Sequence, residues 1–356
     1  MRGLEGTQVE LFAYIQLESR IPKEHPLRRI KLLVDHVLSE LDGEFEGLYS
    51  GMGRPSIPPE QLLRASLLQI LYTIRSERQL VEQLDYNLLF RWFVGLGLEG
   101  VVWDATSFTK NRERLLDGGI ARKFLEEVIG LADAGRLLSE EHFTVDGTLI
   151  EAWASQKSFQ AKADSDDDPG NFRGQKRTND SHQSITEPDA RLYKKGAGKE
   201  AKLCFMGHVL MENRQGLVVN TQTTLATGTA EREAALAMVK GKIGITLGGD
   251  KGYDAWQFHQ DLKTQKITSH VAWKEDRWPG VERWEILQSR GYKISQVKRK
   301  RIEEVFGWMK TVGSMRKVKL RGLPLVSWLF DLNVAAYNLI RIKNLKPRLS
   351  TKLQMP

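Results

Sequence analysis

Cysteine is nearly absent from this sequence: Cys204 is the only one in 356 residues. A single cysteine cannot form a disulfide within the chain, and it cannot supply the paired cysteines of a zinc finger. The sequence therefore argues against a small disulfide-stapled domain and against a cysteine-based zinc site. It fits a protein that works in a reducing compartment.

Long uninterrupted hydrophobic runs are also missing. The first residues, MRGLEGTQVELF, lack the basic flank and apolar stretch of a secretory signal. The longest apolar stretch, LVSWLFDLNVAAYNLI at 325–340, is interrupted by Asp331 and Asn333, which argues against a membrane span. We therefore expect a cytoplasmic protein that does not enter a membrane.

Several common catalytic motifs are absent as well. No Ser-His-Asp or Cys-His arrangement is recognisable in the sequence. The stretch KKGAGKE (194–200) is similar to a phosphate-binding loop, but Tyr193 replaces the first glycine of that motif and Glu200 replaces its Ser or Thr. The sequence therefore gives no support to a nucleophilic hydrolase or a P-loop enzyme.

Basic residues are abundant, and they are unevenly distributed. Residues 291–356 hold 15 Lys and Arg against three acids, a balance of +12, so the first 290 residues sum to −4 within a net charge of +8. This pattern favours a polyanionic partner, most simply DNA, with Lys317, Lys319 and Arg321 as candidate phosphate contacts. The alternative is ordinary solubilising charge. Trp256 and Trp308 could stack on bases, although helix packing is the commoner use of tryptophan.

Residues 1–140 have the periodicity of helices. Apolar residues recur at helical spacing along 25–41, and Ser76 with Gln79 three residues later is typical of a capping box. These short helices predict an all-helical N-terminal domain for DNA binding. It could contain a helix-turn-helix, and a plain helical bundle is the alternative.

The periodicity changes at Glu141. The following segments predict the order βββαβαβ and then a last long helix, 296–313, with a hairpin at 213–216. We expect this mixed sheet, flanked by helices, to form a catalytic domain over 141–312. Residues 155–200 are polar and rich in turn residues, which predicts a loop insertion. Residues 313–356 are predicted to form a basic helical tail.

Two of the predicted strands deliver an aspartate. Asp146 in FTVDGT alternates with Phe143 and Val145, and Asp250 ends the strand in ITLGGD. Each aspartate lies near glycine, so an ordinary turn is the alternative. If the two strands are neighbours, the two carboxylates come close together and need a cation between them. Carboxylate oxygens suit Mg²⁺.

The last long helix offers a third carboxylate. At 100° per residue, Ile302, Val305, Phe306 and Met309 form one apolar face of RKRIEEVFGWMK. Arg299, Glu303 and Lys310 fall on one polar stripe beside that face, whereas Glu304 points outward. The stripe predicts Glu303 as the acid nearest the core, and a surface row of ion pairs is the alternative.

In combination, these motifs resemble the DDE triad of bacterial insertion-sequence transposases, and the insertion-sequence-five family in particular. The triad corresponds to Asp146, Asp250 and Glu303, and Arg299, Glu303 and Lys310 match a Tyr-Arg-Glu-Lys signature whose tyrosine is replaced here by Gln296. The stretches RPSIPPEQLLRASLLQILY and DATSFTKNRERL are similar to the helical region that precedes the catalytic domain in this group.

The resemblance implies an RNase H-like fold, and a transposase that binds the terminal inverted repeats of its element, cleaves the strands and transfers them. It implies two Mg²⁺ ions, replaceable by Mn²⁺, held by the three acids. Arg299 and Lys310 would contact DNA phosphates or orient Glu303, and we expect a homodimer on DNA. Two alternatives remain, a catalytically silent repressor derived from a transposase and a host nuclease of the same fold.

Overall fold

The computed structural model describes residues 16–49, 52, 56–162, 178–194, 196, 198–275 and 280–345. The described part of the N-terminal region is helical, as predicted. Its helices are α1 (Leu17–Arg20), α2 (Pro26–Glu40), α3 (Asp42–Leu48), α4 (Pro59–Leu71), α5 (Glu77–Tyr86), α6 (Leu88–Val94), α7 (Ala105–Asp117) and α8 (Ile120–Ala134).

Local capping explains where several of these helices begin. Ser76 Oγ accepts a hydrogen bond from Gln79 N at 3.0 Å, which is the side-chain half of the predicted capping box. Asp104 Oδ1 accepts from the amides of Thr106 and Ser107, both at 2.9 Å, and so starts α7. All three bonds satisfy amides that have no partner inside the helix.

The remaining elements follow from residue 142. The strands are β1 (His142–Ala152), β2 (Phe159–Ala161), β3 (His182–Ser184), β4 (Arg191–Tyr193), β5 (Lys202–Glu212), β6 (Val218–Leu225), β7 (Thr246–Gly249), β8 (Thr268–Val271) and β9 (Lys317–Val318). The helices are α9 (Ala230–Met238), α10 (Trp256–Thr264), α11 (Val281–Gln288), α12 (Arg290–Lys298), α13 (Ile302–Thr311) and α14 (Leu323–Asn344).

The main sheet is mixed. Its strand order is β4-β5-β1-β7-β8, with β6 also paired to β5 and β9 paired to the end of β1. Strands β1 and β5 are antiparallel, whereas β1, β7 and β8 are parallel to one another. The principal elements β1, β5, β6, α9, β7, α10 and β8 therefore follow the predicted order βββαβαβ, and the mixed sheet with flanking helices is confirmed.

The predicted loop at 155–200 is only partly a loop. Strands β2 and β3 form a separate antiparallel pair, and β4 adds to the edge of the main sheet beside β5. Residues 163–177 lie outside the described part of the chain. The strands escaped prediction because they are short, three residues each, and polar.

Two apolar cores cover opposite faces of the sheet. One contains Ile150 and Val209 together with α13, α14 and the N-terminal helices. The other contains Phe143 and Val145 together with residues of α9 and α10. Alternation along β1 places Asp146 on the first face, the one that faces α13.

Helix α14 differs from the basic tail predicted for residues 313–356. By length and mean hydropathy, 1.3, this helix could cross a membrane, yet 67% of its most apolar window is buried inside the protein. It packs on α8, α4, α2, β6 and α13. Its apolar composition is therefore that of a core helix joining the helical region to the sheet.

Candidate active site at the carboxyl end of a parallel strand pair

Strands β1 and β7 bring Asp146 and Asp250 to the same level of the sheet. They are parallel neighbours whose register pairs Thr144 with Gly248. Continuing that register by two residues sets Asp146 beside Asp250. Strand β7 ends at Gly249, so Asp250 lies just beyond its carboxyl end, where open α/β sheets commonly bind ligands. The neighbouring strands required by the sequence argument are present.

Each aspartate also has a local hydrogen bond. Asp250 Oδ1 accepts from Gly252 N at 2.7 Å and caps the 3₁₀ turn Lys251–Tyr253. Asp146 Oδ1 accepts from Gly147 N at 2.8 Å. Asp250 therefore does stabilise a turn, which was the alternative interpretation of its sequence context. Asp250 is exposed and Asp146 is half-buried, so both residues are accessible to solvent.

Helix α13 packs its predicted apolar face on the sheet. Ile302, Val305, Phe306 and Met309 are all buried, and they share a core with Val209, the cross-strand partner of Asp146. The helical-wheel assignment of that face is confirmed. The helix carrying Glu303 therefore covers the same face of the sheet that carries Asp146.

The adjacent glutamates differ in their partners rather than in their exposure. Glu303 and Glu304 are both exposed, so Glu303 is not more buried than its neighbour. Glu304 Oε2 lies 3.4 Å from Arg341 Nη1 of α14. Within the described part of the chain, Glu303 makes neither a hydrogen bond nor an ion pair. Glu304 is thus paired with Arg341, whereas the Glu303 carboxylate can bind a ligand.

The predicted continuous helix at 296–313 is wrong in one respect. A 3₁₀ turn, Arg299–Arg301, separates α12 from α13. Such a turn advances about 120° per residue instead of about 100°, so Arg299 rotates toward the sheet relative to Glu303. Its Cβ lies 3.8 Å from the position a Cβ would take on Gly248. The predicted stripe of Arg299, Glu303 and Lys310 is therefore broken at its first member.

Arg299 is instead held by Gln296, the residue at the position of the expected tyrosine. Arg299 Nε donates to Gln296 Oε1 at 2.8 Å, and Gln296 Nε2 donates to the carbonyl oxygen of His270 at 2.7 Å. This chain of bonds ties the 3₁₀ turn to the end of β8. The glutamine thus fixes the start of α13 relative to the parallel strands.

The three predicted acids supply hard oxygen donors, which suit Mg²⁺ or Mn²⁺. Asp146 and Asp250 also fit a shared cation by their placement on adjacent strands. Among the described residues, however, no three His, Cys, Asp or Glu side chains are close enough together to hold a metal ion. The donors fit a divalent cation in chemistry and in strand placement, without forming a closed ligand set.

A further acid, Glu231, lies beside Gly147 and Gly252, and the sequence analysis missed it. A Cβ on Gly147 would lie 3.0 Å from Glu231 Oε1, and a Cβ on Gly252 would lie 3.7 Å from Glu231 Oε2. Sequence reasoning passed over Glu231 because an acid in the first turn of a helix is ordinary. The sequence signal for a neighbouring side chain was the glycine that follows each aspartate, Gly147 after Asp146 and Gly252 after Asp250.

Tyr253, in the 3₁₀ turn after Asp250, is fully buried in the core under α9 and α10. Burial raises the pKa of its phenol well above the usual range, and the charges of Glu231, Asp146 and Asp250 raise it further. Its hydroxyl is buried and has no hydrogen-bond partner among the described residues. Tyr253 thus buries a neutral hydroxyl group whose ionisation the nearby carboxylates oppose.

The candidate DNA contacts lie on the surface near the end of β1. Lys317 and Lys319 are exposed, and both ammonium groups lie over the ring of Trp153, at 5.4 and 5.7 Å. Lys317 also pairs with Glu151 at 3.3 Å. Arg321 is exposed. Basic and aromatic side chains thus share one surface.

The two tryptophans singled out in the sequence have different environments. Trp308 packs edge-on against Tyr337 of α14, as expected for helix packing. Trp256, at the start of α10, is 72% exposed, so packing does not explain it. It lies six residues after Asp250 in the chain.

A cleft of ≈ 640 Å³ lies elsewhere, at the amino end of β1. Its lining includes His142, Asn213, Ser295 and Lys298, and it contains none of the three predicted acids. The exposed surface at the carboxyl end of β7 is the better candidate for chemistry on DNA, because it carries Asp250 and the cleft carries none of the three acids.

Two family models match the chain. The model described as "Transposase DDE domain" matches residues 138–339, and the one described as "Transposase domain (DUF772)" matches residues 15–114. The first match extends into α14, beyond residue 312, where the catalytic domain was predicted to end. The insertion-sequence-five assignment stays a prediction. No curated protein sequence matches the chain significantly.

Solved structures give weaker similarity. The piggyBac transposase synaptic complex with hairpin DNA is 11% identical, with 92% of this chain and 76% of that chain covered and a TM-score of 0.44. A Mos1 transposase paired-end complex with the left transposon end is 13% identical, with 75% and 81% covered and a TM-score of 0.19. The mariner Mos1 paired-end complex with Mg is 12% identical, with 84% and 100% covered and a TM-score of 0.19. The family models therefore carry the assignment.

Proposed function

The chain belongs to the transposase DDE domain family, and from that premise we propose that it binds the terminal inverted repeats of an insertion sequence and cleaves and transfers their strands. The reaction class of the family is metal-dependent DNA phosphoryl transfer. The observation that best supports the proposal is the parallel pairing of β1 with β7, whose register, continued by two residues, matches Asp146 with Asp250.

In this proposal Asp146, Asp250 and Glu303 hold two Mg²⁺ ions, which Mn²⁺ can replace. Such ions activate a water or a 3′-hydroxyl and stabilise the leaving oxygen. The protein contributes position: β1 and β7 hold the aspartates rigidly, and the packing of α13 on the sheet holds Glu303. Phosphoryl transfer depends on this kind of positioning more than on covalent help.

The basic residues bind the DNA backbone in this proposal. Lys317, Lys319 and Arg321 contact phosphates at the surface near the carboxyl end of β1, and Lys310 contributes from α13. Arg299 has a different role, because its bond to Gln296 makes it a positioning residue for the start of α13. We further propose a homodimer on DNA, since an element has two ends that must be cut together.

The direct test is cleavage of element-end DNA by the full chain with Mg²⁺ or Mn²⁺. The DNA is taken from the inverted repeats that flank the reading frame. Asp146→Asn and Asp250→Asn should each abolish cleavage and leave end binding intact. Full cleavage by either variant would refute the site.

The same assay separates the alternatives. A repressor would bind the ends and cleave nothing. A host nuclease would cleave and join no strands, and its gene would lack matched flanking repeats. Strand joining to a second DNA is the result that only the transposase proposal expects.

A further inference from the structure

We propose that Asp254 is a positioning residue that holds the turn carrying Asp250. This inference rests on the proposed function and deepens it, because Asp250 is one of the proposed metal ligands. Asp254 lies four residues after Asp250, directly where the 3₁₀ turn Lys251–Tyr253 ends. The two aspartates therefore stand at opposite ends of one short segment.

The segment from Asp250 to Asp254 is hydrogen-bonded along its length. Asp250 accepts twice, at Oδ1 from Gly252 N at 2.7 Å and at its carbonyl oxygen from Tyr253 N at 3.2 Å. The Asp254 amide donates to the carbonyl oxygen of Lys251 at 3.3 Å. The Tyr253 side chain is fully buried in the core under α9 and α10. Because these bonds join the two ends of the turn, a displacement of Asp254 also displaces Asp250.

Three groups from three different elements hold the Asp254 carboxylate. Its Oδ2 accepts from the amide of Lys274, which lies three residues beyond the end of β8, at 2.7 Å. Its Oδ1 accepts from His259 Nε2 of α10 at 2.7 Å and from Arg283 Nη2 of α11 at 3.0 Å. A carboxylate with partners in three directions has little freedom to move, so the far end of the turn is fixed.

The two side-chain partners are themselves bonded to β8. Arg283 Nη2 also donates to the carbonyl oxygen of Val271 at 3.2 Å, and His259 Nδ1 lies 2.9 Å from Ser269 Oγ. The side chains of Asp254, His259 and Arg283 are only 12, 15 and 13% exposed. Hydrogen bonds that are shielded from water in this way are stronger than exposed ones. The network therefore ties the turn after β7 to β8, α10 and α11.

Asp254, His259 and Ser269 are bonded in the order of a Ser-His-Asp triad, but Ser269 is not placed as a nucleophile. Ser269 is buried in β8, whereas a nucleophile must reach its substrate. Arg283 Nη1 also lies 3.2 Å from His259 Nδ1, the nitrogen that would have to accept the serine proton. The cluster is therefore suited to holding the turn and not to covalent chemistry.

The charge of Asp254 matters for this role. Burial would raise the pKa of Asp254, but the hydrogen bonds from Lys274 and His259 and the charge of Arg283 outweigh it and lower the pKa. Asp254 is therefore ionised at neutral pH and balances the charge of Arg283. Asparagine at position 254 would keep the size, but it would lose one acceptor oxygen and leave the buried guanidinium without its counter-charge.

The test measures metal binding without DNA. Mn²⁺ is titrated by calorimetry into the full chain, at a temperature well below the Tm of each variant. Asp254→Asn should raise the Kd for Mn²⁺ about tenfold. Arg283→Gln removes one of the three partners of Asp254, so it should raise the Kd by a smaller factor. Arg290→Gln is the matched control, because it neutralises an exposed arginine at the start of α12, and it should match the parent.

The Kd separates positioning from a general loss of stability. Destabilisation alone would lower the fraction of folded protein, and hence the number of Mn²⁺ ions bound per chain, while the folded fraction kept the Kd of the parent. Displacement of Asp250 changes the Kd of the folded protein itself. The expected result is therefore a raised Kd, and a reduced stoichiometry with a parent-like Kd would overturn the inference.

A parent-like Kd for Asp254→Asn, alongside a loss of binding in Asp250→Asn, would also overturn this inference and leave the proposed function standing. Parent-like Mn²⁺ binding by Asp250→Asn would overturn the proposed metal site itself. If Asp254→Asn does not fold, Arg283→Gln decides the question, because it leaves Asp254 and its bonds to Lys274 and His259 in place. A raised Kd for Arg283→Gln supports the inference, and a parent-like Kd refutes it.

Discussion

The two faces of β1 pack against different helices. The face with Asp146 is covered by α13 and α14, whose apolar core continues into the N-terminal helices. The opposite face is covered by α9 and α10, in a separate and smaller core. On this second side, His208 Nδ1 and the Tyr253 hydroxyl are buried and have no hydrogen-bond partner among the described residues. The first face therefore carries Asp146 and the helix with Glu303, whereas the second holds the buried polar atoms without a partner among the described residues.

The first face is closely packed. A Cβ on Gly207 of β5 would lie 2.3 Å from Phe330 Cε2, so a glycine is required where α14 crosses the sheet. Helix α14 therefore lies directly on the backbone of the strand beside β1. Interiors packed this closely transmit small displacements, which suits a face that must hold Asp146 and Glu303 in position.

The largest expected effect is on strand cleavage. It tests whether Glu303, on the helix that covers the first face, is the third metal ligand. Glu303→Gln removes a negative ligand without changing shape, and we expect a loss of strand cleavage of about a hundredfold or more. Glu304→Gln removes only an exposed ion pair with Arg341, so cleavage should stay within a few-fold of the parent. Metal-dependent cleavage of end DNA is measured for both. A dead Glu304→Gln beside an active Glu303→Gln would show that the third ligand is misassigned.

The next effect compares the two cores. Phe330 and Phe258 are both buried, one on each face. Each Phe→Ala change should cost about 3–5 kcal/mol of unfolding free energy. Because the first core joins the helices to the sheet, Phe330→Ala should increase hydrogen exchange in both regions. Phe258→Ala should increase it mainly in α10 and β8. Equal patterns for the two variants would mean that the cores are not separate.

A smaller effect concerns the buried imidazole on the second face. Burial lowers the pKa of His208 from 6.5 to about 4, so folding favours its neutral form. The unfolded chain takes up this proton near pH 6.5, and stability is therefore complete above that pH and falls as the pH drops toward 4. The loss from this group is of the order of 3 kcal/mol. Urea unfolding measured against pH should show that slope, and His208→Gln should reduce it.

The smallest expected effect concerns the surface at the end of β1. Replacing Lys317, Lys319 and Arg321 by glutamine should weaken DNA binding and flatten its salt dependence. Each lost phosphate contact should change the log–log slope by about 0.9. Cleavage at saturating DNA should persist, since these residues lie outside the group of acids. An unchanged slope would assign their charges to solubility, and Lys293→Gln is a basic control in α12.

Much of the site could be predicted because its parts are local. Alternation along β1 places Asp146 opposite Phe143 and Val145, and the two cores agree with that alternation. Helical spacing alone identified the buried face of α13. The 3₁₀ turn at Arg299–Arg301 was not predictable from the sequence. The backbone dihedral angles of a 3₁₀-helix and an α-helix differ only slightly, and no Pro or Gly marks the change.

The amino-acid sequence by itself determined the helical N-terminal region, the order of the principal strands and the residue types of the candidate site, because these depend on periodicity and on neighbours in the chain. Tertiary structure alone decided that β1 lies beside β7, that α14 is a buried core helix and that Glu231 faces Gly147 and Gly252. The physical reason is that these relations depend on packing between segments far apart in sequence. A first-turn acid or a long apolar helix looks the same in the sequence whether it faces solvent or a partner.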